Sequence, residues 1–258
     1  MANFDDYFAL YDKGAYPEAY GVLRDIMDTQ PRWSKVGNMY VWCANLELVI
    51  NDDVCKARQL LDKARELGCS DMVDYYRVKG YVLWRTGERD KGMQDLEKSI
   101  ELDARLSNLT TFGRMLSFID DKRAINIWER VLKKDPKNCL AHIYVGEEAA
   151  KFGDRGKALL MAKRAEKLDP SVEDVFEIAR LFHELEQFQS AVNAYLEANR
   201  RGYSDKALLY ACIAACYLSL GQVSAARKYA QWAVRSNPED DYVKEVWQKC
   251  EELSGEEQ

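Results

Sequence analysis

The chain has 258 residues, 47% hydrophobic and 31% charged, with 37 Lys and Arg against 43 Asp and Glu and a net charge of −6. That balance suits one large soluble domain or two small ones, and the acidic excess argues against a domain that holds nucleic acid through a bulk basic field. No apolar run approaches the roughly 20 residues of a membrane span, so no membrane insertion is expected. The opening MANFDDYFALYDKG is acidic early and lacks a basic segment ahead of an apolar one, so no secretory leader is expected either. Seven cysteines, at 43, 55, 69, 139, 212, 216 and 250, never fall in CxxC spacing. They read as small core residues kept reduced in a cytoplasmic protein.

From the N-terminus onward the pattern falls into pairs of helices. Gly14 marks the first inter-helix turn, Pro17 opens the second helix, and Pro31 follows it. Gly87, Gly153 and Gly221 mark later turns, while Pro136, Pro170 and Pro238 close second helices, since proline does not continue a helix. Pro136 and Pro170 are 34 residues apart, and Pro170 and Pro238 twice that. Small residues repeat with the same period. One column runs Ala19, Ala57, Gly92, Ala124, Ala158, Ala191, Ala226, with gaps of 38, 35, 32, 34, 33 and 35. A second runs Ile26, Ala64, Ser99, Val131, Ala165, Ala198, Ala233, and a third, in the preceding helix, Asn45, Gly80, Gly113, Gly146, Ala179, Ala214. Two antiparallel helices approach closely only where a side chain at their crossing is small, so these columns predict one helical hairpin repeated seven times. The expected repeats are about 1–37, 38–72, 73–105, 106–138, 139–171, 172–206 and 207–240, followed by a capping helix over 241–253 and a short acidic tail over 254–258. The fourth fits only with an inter-helix turn one residue short.

The chain resembles the tetratricopeptide repeat family over nearly its whole length. The seventh repeat carries the likeness in Tyr210, Ile213, Ala214, Tyr217, Gly221, Ala226, Ala233 and Pro238, and the fifth in Val145, Gly146, Gly153, Asp154, Ala158, Ala165 and Pro170. The first helix of repeat 1 departs from the family pattern, and Asn45 stands where repeat 2 should carry Gly or Ala. The resemblance implies an all-α fold, a right-handed solenoid of antiparallel hairpins. It also implies that the first helix of each repeat lines a concave groove. Projected onto this sequence, the groove positions include Phe4, Phe8, Met39, Trp42, Leu46, Val49, Asp74, Arg77, Tyr81, Trp84, Arg85, Arg114, Ile143, Glu147, Phe176, Arg180 and Ala211.

Within that set Phe8, Trp42, Arg77, Tyr81, Trp84, Arg85, Arg114 and Arg180 are the expected ligand-binding residues, because aromatic side chains and Arg dominate binding hot spots. Trp42 and Trp84 equally suit packing against a neighbouring repeat. The Lys and Asn clamp with which some family members grip a carboxylate terminus is missing: Phe4, Phe8, Trp42, Leu46, Arg77 and Tyr81 occupy those places. The expected partner is a protein or peptide with apolar and acidic residues, and the alternative is self-association through the same aromatic strip.

No enzyme is expected. Cys139 and His142, one helical turn apart, supply two ligands where a zinc site needs three or four. Cys212 with Cys216 reads as core, and His183 has no nucleophile beside it in sequence. There is no phosphate loop, GxSxG or HExxH. No cofactor and no metal are expected.

Overall fold

The computed structural model describes residues 2–119 and 121–255, with side chains described as far as 253. The chain divides into two compact units, residues 1–124 and 125–258. Unit 1 holds α1 (Phe4–Asp12), α2 (Tyr16–Thr29), a single 3₁₀ turn (Trp33–Lys35), α3 (Gly37–Asn51), α4 (Val54–Leu67), α5 (Met72–Arg85), α6 (Arg89–Leu102) and α7 (Leu106–Phe118). Unit 2 takes up α8 (Ala124–Lys134), which starts at the boundary, then α9 (Cys139–Lys151), α10 (Arg155–Glu166), α11 (Val172–Glu184), α12 (Phe188–Arg200), α13 (Lys206–Ser219), α14 (Val223–Ser236) and α15 (Asp241–Gly255). Among the described residues there is no strand, and the architecture is that of an all-α solenoid of helix hairpins.

The small columns are where the hairpins close. All seven residues of the first column and all seven of the second are buried, as are Gly80, Gly113, Gly146, Ala179 and Ala214 of the third. A close crossing joins α5 to α6: a Cβ on Gly80 would lie 2.7 Å from the Gly92 carbonyl oxygen, and one on Gly92 would lie 2.6 Å from that of Gly80. Asn45 is the half-buried exception, and its amide is spoken for, as described below.

Most hairpin turns are closed by one recurring device. The amide N–H groups of Ala15, Glu88, Asp154, Gln187 and Gln222 donate to carbonyls five residues back at 2.8 to 3.0 Å, the hydrogen-bond signature of a helix ending in a left-handed residue. Gly14, Gly87, Gly153 and Gly221 take that conformation at φ between 70° and 90°. Where the sequence has no glycine, Asp52 (φ 50°) and Glu186 (φ 59°) adopt it instead, so the turn persists without its punctuation. Second helices start three residues before their first-column residue, as with Arg89 before Gly92, but α8 starts at Ala124 itself. The residue missing from that spacing is absorbed by the loss of the first turn of α8.

Side-chain caps fix many of the starts. Asp53, Asp71, Asn138, Asp154 and Asp205 accept from the third residue of their helices, and Ser171 forms a reciprocal capping box with Asp174. At the C-terminal end, Val243, Val246 and Cys250 of α15 bury themselves against Ala211, Ala214, Ala226 and Ala230 of the last hairpin. The helix reaches Gly255, two residues beyond its expected end, and residues 256–258 of the expected tail lie outside the described residues.

Candidate binding surface on the first helices

In unit 1 the first helices α1, α3 and α5 bring part of the expected set together. Trp42 is half-buried, with Tyr7 stacked on it at 5.5 Å between ring centroids and an interplanar angle of 15°. Phe8 meets the same indole edge-on at 5.6 Å and keeps 45% of its surface exposed. Phe4 stands edge-on to Trp33 at 4.9 Å and to Trp42 at 6.1 Å. The indole therefore packs against the neighbouring hairpin, and the outer ring of that cluster, Phe8, faces out.

Arg77 is engaged inside the fold. It pairs with Asp74 at 3.0 Å and donates to Asn45 Oδ1 at 3.0 Å, while Asn45 Nδ2 donates to the Tyr11 hydroxyl at 2.9 Å. This polar ladder ties α5 to α3 and α3 to α1, and it explains Asn45 in a column of small residues. Further along α5, Arg85 lies 5.7 Å from the Tyr81 ring centroid, donates to its hydroxyl at 3.0 Å, and grips Asp52 through both terminal nitrogens at 2.7 and 2.9 Å. That two-pronged bond to Arg85 holds the Asp52 carboxyl below its usual range.

Trp84 sits elsewhere, beside the hairpin turn, edge-on to Phe118 at 5.1 Å and under the Arg89 guanidinium at 5.5 Å. Its Nε1 is buried with no hydrogen-bond partner among the described residues. Arg114 is exposed and makes no ion pair among the described residues.

Arg180 belongs to unit 2, where it bridges Glu177 at 2.7 Å and Glu147. Burial pushes the Glu147 carboxyl up to about 7 against the opposing pull of Arg180, with Glu177 and Glu184 adding to the rise and Lys151 opposing it. A carboxylate whose native pKa lies above its usual 4.5 favours the fold below that value and loses the contribution as pH rises through about 7. Stability measured by urea unfolding should therefore fall between pH 5 and pH 8 more steeply in wild type than in Glu147→Gln, the gap reaching about 2 kcal/mol at pH 8. Parallel curves would show that Glu147 titrates as an ordinary surface carboxylate.

Cys139, His142, His183 and Cys216 are each at least partly buried in the fold. His142 is 5% exposed, and its Nε2–H donates to the Pro136 carbonyl at 2.9 Å. Burial pushes the Cys139 and Cys216 thiols up to about 12, which leaves them protonated and unreactive at neutral pH. His183 is held below its usual range by burial and rests edge-on against Phe188 at 5.7 Å. Among the described residues no cluster of three or more His, Cys, Asp or Glu is placed to hold a metal.

Comparison with known proteins fixes the fold. The tetratricopeptide repeat profile matches residues 73–105, which span α5 and α6. The structure of the APC/C hetero-tetramer Cut9–Hcn1 superposes with a TM-score of 0.78 at 14% identity, covering 95% of this chain and 48% of that one. This is the tetratricopeptide repeat fold. The chain spans about half the length of that Cut9–Hcn1 match, but all of PilF from Pseudomonas aeruginosa (TM-score 0.68, 15% identity, 85% of this chain and 100% of that chain). A tetratricopeptide repeat protein from Parabacteroides merdae superposes at 0.59 with 12% identity, covering 95% of this chain and 96% of that one. No curated protein matches the chain by sequence.

Placed on the tetratricopeptide frame, five projected groove positions prove to be core: Met39, Leu46, Ile143, Phe176 and Ala211 are 0 to 4% exposed. The projection counts positions along a helix, and one step is about 100° of rotation, so residues one place from a groove-facing position turn inward. Phe118, at the end of α7, is 68% exposed and Phe152, just past α9, is 62% exposed, and neither is among the projected groove positions.

Proposed function

We propose that the chain is a non-catalytic scaffold that holds a segment of a partner protein on the first-helix face of unit 1. The observation that carries the reading is Phe8, a large aromatic side chain left nearly half exposed against Trp42. Burying such surface is the main source of affinity at protein interfaces, and aromatic residues contribute most of it. Phe8, Trp42 and Tyr81 supply apolar contact in this reading, while Arg85 and Arg114 meet acidic residues of the partner. Arg77 acts as a positioning residue through Asp74 and Asn45, which it holds. Trp84 serves as a turn-edge contact. The tetratricopeptide fold, widely used for protein binding, supports the reading, as does the lack of any helix among the described residues long and apolar enough to cross a membrane. The reading places the work in the cytoplasm, where seven free cysteines stay reduced.

Selection from a random peptide display library is the test. Enriched peptides should mix apolar and acidic residues, and the double variant Phe8→Ala, Tyr81→Ala should weaken the best of them about tenfold or more. Enriched peptides that bind the variant equally well would remove this face from the function. A molecular mass that climbs with concentration in wild type but not in the variant would make the surface one of self-association instead.

A further inference from the structure

We infer a second docking surface, on the second helices of unit 2, that takes an acidic segment of a partner protein. It rests on a two-by-two array of cations. Arg130 and Lys133 on α8, and Arg164 and Lys167 at the end of α10, occupy the same positions of their repeats, six and nine residues after Ala124 and Ala158. All four are exposed, and none forms an ion pair among the described residues. The two helices are neighbours, joined by Lys157 Nζ to Glu129 Oε1 at 3.2 Å.

The arrangement opposes local stability. Residues three apart on a helix face each other, and like charges there repel. On three of the five other second helices the same two positions carry opposite charges: Lys63 pairs with Glu66 at 3.1 Å on α4, Glu197 pairs with Arg200 at 2.6 Å on α12, and α6 has Lys98 and Glu101; α2 has Asp25 and Asp28, and α14 has Trp232 and Arg235. The helix dipole welcomes a cation in the last turn, but α4 and α12 meet the same dipole with a pair. On α12, Glu197 also takes Arg201 at 2.6 Å, so the uncompensated array stops there. Only on α8 and α10 are both positions cationic, and two such repelling pairs on neighbouring helices, with no compensating contact inside the fold, mark a surface kept for something outside it.

The occupant is protein. A nucleic acid or an anionic membrane extends well beyond four cations, and running off the array it would meet a chain of net charge −6 and the acidic face of α11, with Glu173, Asp174, Glu177 and Glu184. Glu166 also sits among the cations. A short acidic segment covers the array and ends where the repulsion begins, since charge acts over only about 10 Å at moderate salt. This surface is independent of the first-helix face proposed above.

Fluorescein-labelled decaglutamate, titrated by anisotropy at low ionic strength and again at physiological salt, provides the test. Wild type should bind it with a salt-dependent Kd. Lys133→Glu with Lys167→Glu rebuilds the paired pattern of α4, so the variant should fold at least as stably and lose about tenfold or more in affinity. Lys13→Glu with Lys35→Glu changes net charge equally at two exposed unpaired sites of unit 1 and should leave Kd within about twofold. Equal losses in both variants, or no binding by wild type, would overturn the proposal. So would tighter binding of a single-stranded oligonucleotide or of phosphatidylserine vesicles that vanishes in Lys133→Glu, Lys167→Glu.

Discussion

Gly80→Val is expected to destabilise unit 1 by about 3 kcal/mol, while Gly21→Ala in the same unit should stabilise it by about 1 kcal/mol. Both glycines lie inside helices, where a side chain normally helps. The difference is what the new atoms meet. At Gly80 the first added carbon would stand 2.7 Å from the Gly92 carbonyl oxygen, 2.8 Å from Leu96 Cγ and 3.2 Å from the Leu96 nitrogen. Two of those are backbone atoms, so α5 and α6 must separate, and the buried contact with Leu96 is lost along the way. At Gly21 nothing lies within 4 Å, so the change gains helix propensity alone. Urea unfolding of the two variants is the check. In a repeat array the transition reports neighbouring hairpins together, so the sign of each shift matters more than its size. Equal shifts would mean that α5 and α6 do not cross as closely as described.

Lys56→Met should cost a similar amount, about 3 kcal/mol, at neutral pH and much less in acid. Glu47 on α3 is 1% exposed and takes hydrogen bonds from the Tyr20 hydroxyl at 2.5 Å and Asn51 Nδ2 at 2.7 Å, besides its ion pair with Lys56. Burial pushes its carboxyl up, but the bonds from Lys56, Tyr20 and Asn51 together outweigh burial and hold it below the usual range. A depressed native pKa gives stability that is present above pH 4.5 and lost as pH falls through the native value. Without Lys56 both its hydrogen bond and its charge are lost, so burial is opposed only by Tyr20 and Asn51 and the carboxyl shifts upward, toward its protonated form. The loss on substitution should therefore be large at pH 7 and shrink toward pH 4, measured by urea midpoints at both. A loss independent of pH would point to lost packing of the lysine stem rather than to the charge.

The hairpins were legible because their cause is local and periodic. A close helix crossing needs a small residue, and Ala158, Ala191 and Ala226 announce it in one dimension; Gly153 and Gly221 do the same for the turns. Asp52 and Glu186 show the limit, since a left-handed turn held by its flanking helices tolerates residues that carry no signal. Glu47 was not legible, because its partners come from α2 and α4 as well as α3. The same holds for the candidate surface. Arg77 and Phe8 look alike as groove residues in sequence, but Arg77 is tied to Asp74 and Asn45 while Phe8 faces out. Only the placement of neighbouring helices separates an anchor of the fold from one offered to a partner.

The central claim, that the first-helix face of unit 1 holds a partner protein, is tested most directly by quantitative affinity capture from native lysate. Wild type is compared with Phe8→Ala, Tyr81→Ala, Arg114→Ala, a variant shown by circular dichroism and urea unfolding to be as folded as wild type. All three side chains are at least partly exposed, and none holds a core crossing. Proteins captured by wild type and lost from the variant are the predicted result. The same proteins captured equally by both would contradict the claim.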